Sequence, residues 1–424
     1  MAQIGKVPGL LLALAALVGC TEVMVVPQEE GDPTAGEGAA PTEEGAVPAE
    51  EGAVPAEEGA VPAEEAAVPV GVVTDSCMAG ALVSLFAPSG LDANTLLPAG
   101  GDGFIAIGAP HNGGVAELDG AGNIVWSSVP LAEGFLHTGV PTGDGGLMVA
   151  GQTYDPASPS SQGLWLGRLD GAGTLLAAHA LGPTHYMAGV DIELLQHPDG
   201  GYVLSTHESL LDGEAPQLVL LRLDDEGQLV HRRSTPLSPG SEVGYNWSHG
   251  AAALLPGGDV VQLTADGAHV RMIRSNGATE PVLDRVLEEI GEAWPQDVTV
   301  LPDGRIAVVA LSVGHNHVIL LDTEGSVLWH RTYRPERDTE LSAVAHDPST
   351  GLLHLAGTTR GADGGTQRMW LISVDTDGAL RWEHEGAVGT PTGITTVTAL
   401  PGGGFAAAGF GDFAYAVVRP DACP

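Results

Sequence analysis

The sequence predicts an all-β fold: a seven-bladed β-propeller of four-stranded blades, closed by an N-terminal strand that completes the last blade. Three observations carry this expectation. One strand–turn–strand phrase recurs seven times. A second phrase, built on Asp-x-x-Gly, follows it in six copies, one of them degenerate. One strand-forming segment, residues 81–86, stands alone before the first copy.

The first phrase is an apolar run, a Pro-, Gly- and Asp-rich turn, and a second apolar run. It reads Leu96-Leu97-Pro98-Ala99-Gly100-Gly101-Asp102 in the first copy and Leu400-Pro401-Gly402-Gly403 in the last. Its prolines recur every 43 to 58 residues. A period near 50 with several short strands per unit marks a propeller, in which each blade packs only on its neighbours.

The second phrase appears as Leu118-Asp119-Gly120-Ala121-Gly122, Leu169-Asp170-Gly171-Ala172-Gly173, Leu223-Asp224-Asp225-Glu226-Gly227, Leu321-Asp322-Thr323-Glu324-Gly325 and Val374-Asp375-Thr376-Asp377-Gly378, with a degenerate copy at Ile273-Arg274-Ser275-Asn276-Gly277. Asp bonds its own backbone and Gly supplies positive φ, so this is a hairpin turn. Each unit therefore holds four strands. In the fifth they are expected at residues 296–301, 305–311, 316–321 and 326–333. Trp126, Trp329 and Trp382 share one fourth-strand position, where they are expected to cap the groove between blades.

The seventh unit supplies only three strands, at 394–400, 404–409 and 413–419. An open ring would expose strand edges, and the lone strand at 81–86 fills the vacancy. Cys77 lies just before that strand and Cys423 just after its expected partner. A disulfide between them would lock the ring at its seam in an oxidising compartment.

Residues 10–18 form an apolar run of nine behind one basic residue, Lys6. That is too short for a membrane span, which takes about 20 residues, and suits a signal peptide. The run ends in Leu17-Val18-Gly19-Cys20, which resembles the bacterial lipobox. The resemblance implies a signal peptide over residues 1–19, lipidation of Cys20 and, because Thr21 and not Asp follows it, the outer membrane. Residues 20–73 then read as an acidic tether preceding a propeller domain over 74–424. From residue 21 the tether holds 13 acidic residues and no Lys or Arg, with a heptad Glu43-Glu44-Gly45-Ala46-Val47-Pro48-Ala49 repeated along it. Proline in each heptad forbids a continuous helix, and self-repelling charge favours an extended, disordered chain.

The formal charge is −38, of which about −26 remains once the tether and Lys6 are set aside. Such acidity argues against nucleic acid and against direct adsorption to anionic lipid.

Zincin, Walker-loop, paired Cys-x-x-Cys and strong Gly-x-Ser-x-Gly patterns are absent from the sequence. The Asp-x-x-Gly-x-x-x-Trp pattern resembles blades of quinone-dependent dehydrogenases and of the propeller lipoprotein of outer-membrane assembly. The Trp recurs in three of the seven blades, so the resemblance implies the architecture and not a bound quinone.

One propeller face gathers the loops before innermost strands and those between second and third strands. Mapped this way it collects His111, His137, His185, His207, His249 and His315, with Tyr186, Trp247 and Trp294; Asp191, Glu193, Asp297 and Glu340 lie near inner-strand starts. Of these, His137, His185, His249, Trp294, Asp297 and Glu193 form the candidate channel-mouth ligand site. Imidazoles with carboxylates suit polar ligands or metal ions. The preferred expectation is a non-catalytic, lipid-anchored scaffold binding a protein or glycan in the cell envelope, with no cofactor. The alternative is a hydrolase or lyase using a divalent metal at the channel mouth.

Overall fold

The computed structural model describes residues 82–86 and 93–418, apart from 109–112, 121, 154–160, 186–191, 209–215, 239–250, 277–280, 335–336, 361–366, 387–390, 402 and 412–414. The signal peptide, Cys20, the tether, Cys77 and Cys423 lie outside the described residues.

The chain is an all-β propeller of four-stranded antiparallel blades. In the first blade Thr95–Pro98, Phe104–Ile107, Val115–Leu118 and Ile124–Ser128 pair in sequence order. Five more blades repeat this order, beginning at Gly134–Pro141, Glu193–Gln196, Ala251–Leu254, Trp294–Val300 and Thr339–Asp347. A further four-stranded sheet is composite. Pro391–Ala399, Phe405–Gly411 and Tyr415–Val418 pair in order, and Leu82–Phe86 pairs antiparallel to the last, with Leu82 opposite Val418 and Phe86 opposite Tyr415. The innermost strands adjoin one another in succession, and Pro391–Ala399 adjoins both Thr339–Asp347 and Thr95–Pro98.

The Asp-x-x-Gly phrases fold alike. In each, the Asp carboxylate accepts the amide four residues on: Asn123 on Asp119 at 2.8 Å, Thr174 on Asp170 at 2.8 Å, Gln228 on Asp224 at 2.7 Å, Ser326 on Asp322 at 2.8 Å and Ala379 on Asp375 at 2.8 Å. A second reason for the glycine is packing. Gly173 has φ +79°, and a Cβ there would run into the Trp126 ring of the preceding blade. Trp329 likewise donates its indole N–H to the Thr376 carbonyl at 2.8 Å, in the next blade's turn. Trp382 packs with Ile394 and Phe405 of the composite sheet. The fourth-strand tryptophans thus pack toward the following sheet.

The core lies between sheets, as propeller packing requires. Met272, Val298, Ile306 and Ile319 fill the space between blades four and five. Leu353, Trp370, Val309 and Leu320 fill that between five and six. Leu96, Phe104, Leu400 and Ala406 join the composite sheet to blade one. Aliphatic side chains predominate because the chain is only 4% aromatic.

Two bulges recur. In the outermost strands Val125, Leu176, Val230, Leu328 and Arg381 are each the extra residue that follows the turn. A bulge on an edge strand twists it away from pairing with another chain, which blunts edges whose Val125, Leu176 and Val230 are exposed. In the innermost strands the extra residues are His137, Gln296, Ser342 and Thr395. Opposite three of these bulges stands glycine: Gly151, Gly357 and Gly409 leave no room for a Cβ against the backbone carbonyl that the bulge pushes forward.

Candidate functional site

The inner bulges decide what the channel-mouth residues can do. Polar side chains at and beside this strand position bond to the next blade. Asn94 Nδ2 donates to the Leu136 carbonyl at 2.6 Å, and the Thr95 hydroxyl to the His137 carbonyl at 2.8 Å. The Ser342 hydroxyl donates to the Ile394 carbonyl, and the Thr395 hydroxyl to the Ala93 carbonyl at 2.7 Å. Asn94, Ser342 and Thr395 occupy equivalent positions, so one sequence position ties three pairs of successive sheets.

Asp297 belongs to the same system. Its carboxylate accepts the Val298 amide at 2.7 Å through one oxygen and the Val344 amide, in blade six, at 2.7 Å through the other. Asp297 thus clasps two blades. His137 is the bulged residue of Gly134–Pro141 and half-buried. Glu193 opens its strand opposite Ser205, and Trp294 opens its strand opposite Leu311. His185 ends the strand Leu175–His185, with its side chain outside the description, and all of His249 lies outside it. His207 is buried and bonds Thr264 Oγ1 at 2.8 Å through Nε2. Among the described residues no three His, Cys, Asp or Glu side chains are placed to hold a metal ion.

Two described concavities lie on the opposite face, between the Pro-containing turns. One groove of about 300 Å³ runs between Leu255, Pro256, Asp259 and Arg274 of blade four and Pro302, Asp303 and Thr323 of blade five. The next, about 530 Å³, runs between Leu301, Asp303 and Arg305 of blade five and His346, Pro348 and Asp375 of blade six. Their charges are mostly satisfied internally. Arg274 pairs with Asp259 at 2.8 Å and Glu324 at 3.0 Å, and Arg305 with Asp303 at 2.7 Å. Desolvation would raise Asp303, yet the Arg305 amide and guanidinium hold it below its ordinary value. Burial pushes the His346 imidazole down, against the pull of Asp347 and Asp303.

The sequence reading placed ligand binding on one face and missed both these grooves and the inter-blade ties. The grooves were signalled by the Pro-Asp-Gly phrase itself, whose repetition sets two rigid turns side by side. The ties were signalled by the dipeptides Ala150-Gly151, Ala356-Gly357 and Ala408-Gly409, which mark where the inner strand bulges.

No protein-family model and no curated protein matches the chain. Among solved structures it is similar to a protein of unknown function from Bacteroides caccae, with 16% identity and TM-score 0.46 over 70% of this chain and 97% of that one. It is also similar to a puromycin hydrolase, with 18% identity and TM-score 0.49 over 76% of this chain and 50% of that one. A glucose dehydrogenase gives 15% identity and TM-score 0.43 over 67% of this chain and 95% of that one. Strand order and pairing within this chain give the propeller fold.

Proposed function

We propose that the chain is a lipid-anchored scaffold of the bacterial cell envelope, held off the membrane by its acidic tether, whose seven-bladed propeller binds a protein or a glycan. The composite sheet is its seventh blade. Leu82–Phe86 seals the ring, and a Cys77–Cys423 disulfide fastens the seam.

The observation that carries the scaffold reading is the use made of the inner-strand polar groups. Asn94, Asp297, Ser342 and Thr395 spend their side chains joining sheet to sheet. A polar group bonded to backbone in this way rigidifies the frame rather than presenting itself to substrate. Rigid frames with variable loops suit recognition, and site chemistry rather than fold must name the ligand.

The anchor is tested by feeding a labelled fatty acid to cells making the full chain. Wild type is expected to take up label and Cys20→Ser is not; equal labelling removes the anchor. Binding is tested by presenting the purified full chain to a glycan array and to envelope proteins under in-cell crosslinking. A saturable ligand competed by unlabelled protein is expected. Absence of any saturable ligand in both formats overturns the scaffold reading.

A further inference from the structure

Blade five carries a hydrogen-bonded chain of Ser312, His317 and His330. Ser312 Oγ lies 2.8 Å from His317 Nε2, and His317 Nδ1 lies 2.7 Å from His330 Nε2. Ser312 ends the second strand, Ile306–Ser312; His317 lies in the third, His315–Leu321; His330 lies in the fourth, Val327–Arg331. A two-residue turn, Val313-Gly314 with Gly314 at φ +76°, joins the first two.

The strand register explains the meeting. Ser312 pairs with His315, Ala310 with His317, and Ile319 with His330. Cross-strand partners share a face and alternate residues repeat it. Val308, Ala310 and Ser312 thus share one face with His315, His317, Ile319 and His330. The inner part of that face, Val308, Ala310 and Ile319, is core against blade four. Its outer end is where the core gives way to solvent: Ser312, His317 and His330 are each partly exposed, His315 is exposed, and Val313 at the tip is 85% exposed.

We propose that Ser312, His317 and His330 form a nucleophile–base–positioning relay that performs acyl transfer on activated carboxylic esters, such as aryl esters and thioesters. A nucleophile within hydrogen-bond reach of a base, itself oriented by a third group, is the arrangement that activates a serine. One tautomer serves the whole chain. The Ser312 hydroxyl donates to His317 Nε2, and His317 Nδ1–H donates to His330 Nε2. Ser312 Oγ attacks the acyl carbonyl, and its proton passes to His317 Nε2. The tetrahedral adduct expels the phenolate or thiolate, which takes that proton. Water then attacks the acyl-serine with His317 as base, releasing the acid and restoring Ser312. His330 is a positioning residue: it holds the His317 ring and tautomer through the Nδ1–Nε2 bond.

The electrostatics select the substrate class. Burial, with the neighbouring His330 and His315, lowers the His317 imidazole to about 4, so it stands neutral and ready to accept a proton at pH 7. A weak base gives little driving force for proton transfer, which favours substrates with good leaving groups. This inference stands apart from the binding reading, which concerns the propeller's faces and anchor.

The test uses the purified full chain and a fluorophosphonate probe. Attack of Ser312 Oγ on phosphorus forms a P–O bond and expels fluoride, and peptide mass spectrometry locates the adduct. Ser312 is expected to be labelled in wild type and the label lost in Ser312→Ala. His317→Gln is expected to slow labelling by about 100-fold or more, the scale of general-base assistance. His330→Leu is expected to slow it, and His330→Gln, which keeps an acceptor for Nδ1–H, to restore it. Circular dichroism and melting establish that each variant is folded. An unlabelled Ser312 in folded wild type, or labelling unchanged in folded His317→Gln, overturns the relay. Equal slowing in both His330 variants overturns the positioning role.

Discussion

The Thr395 hydroxyl donates to the Ala93 carbonyl at 2.7 Å, across 302 residues of chain. It joins the innermost strand of the last sheet to the residue just before the innermost strand of the first. The same position makes the same bond in Asn94 to Leu136 and in Ser342 to Ile394, so the contact between chain ends is a repeat of the contact between neighbours.

Removing that hydroxyl leaves the Ala93 carbonyl short of a donor while keeping the side chain's shape in Thr395→Val. The expected loss is about 1–2 kcal/mol, the range for an unsatisfied part-buried acceptor. Urea unfolding should show a lower midpoint at an unchanged m-value. An unchanged midpoint would mean that the tie contributes nothing.

Gly173→Ala should destabilise the protein for two reasons at once. The φ of +79° is costly for a residue with a Cβ, and that Cβ meets the Trp126 ring. About 1–3 kcal/mol is expected from the left-handed backbone and the displaced indole together. In Gly173→Ala with Trp126→Ala the clash term vanishes and only the backbone cost remains, so the double variant should lose less than the sum of the singles.

Stability should fall as pH drops below about 6.5. His354 is buried, with Nδ1 on Ser373 Oγ at 2.8 Å and its ring stacked on Phe405 at 4.4 Å. Burial lowers its imidazole, as it does those of His317, His346 and His384. A histidine whose folded value lies below its unfolded value binds its proton in the unfolded chain first. Its contribution is complete above the unfolded value and is lost as pH falls toward the folded one. Asp347 adds a second loss at lower pH. Desolvation would raise it, but His354, Ser349 and Thr350 hold it well below the ordinary carboxylate range. Urea midpoints should therefore be flat between pH 7 and 8 and decline below about 6.5. His354→Asn, measured against its own value at pH 8, should show a shallower decline. An identical slope in that variant would contradict the assignment.

Non-reducing peptide maps of the exported protein should contain a peptide pair joined through Cys77 and Cys423. Reduction should lower the melting temperature and leave the native circular dichroism unchanged. Two free thiols would remove the proposed seam.

Much of the architecture was legible because its signals are local. Asp119, Asp170, Asp224, Asp322 and Asp375 each close a turn within four residues, and such chemistry is written in adjacent letters. Strand ends were read to within a few residues: the blade-five strands run Trp294–Val300, Ile306–Ser312, His315–Leu321 and Val327–Arg331. The site was harder to read because its partners are distant in sequence. Asp297 accepts the amide of Val344, 47 residues on, a bond that no local pattern announces. His317 and His330 are 13 residues apart on adjacent strands, and only the register, shifted by the outer bulge at Leu328, brings them together. A bulge displaces every later residue by one, so faces read from alternation alone go astray there.

Native-state hydrogen exchange of the full chain tests most directly whether the ring is sealed by its own N-terminal strand. Amides of Leu82–Phe86 and Tyr415–Val418 pair with each other in the structure. They should therefore exchange together, with protection comparable to the innermost strand Thr95–Pro98. Exchange of 82–86 at the unfolded rate while Thr95–Pro98 stays protected would contradict the closure.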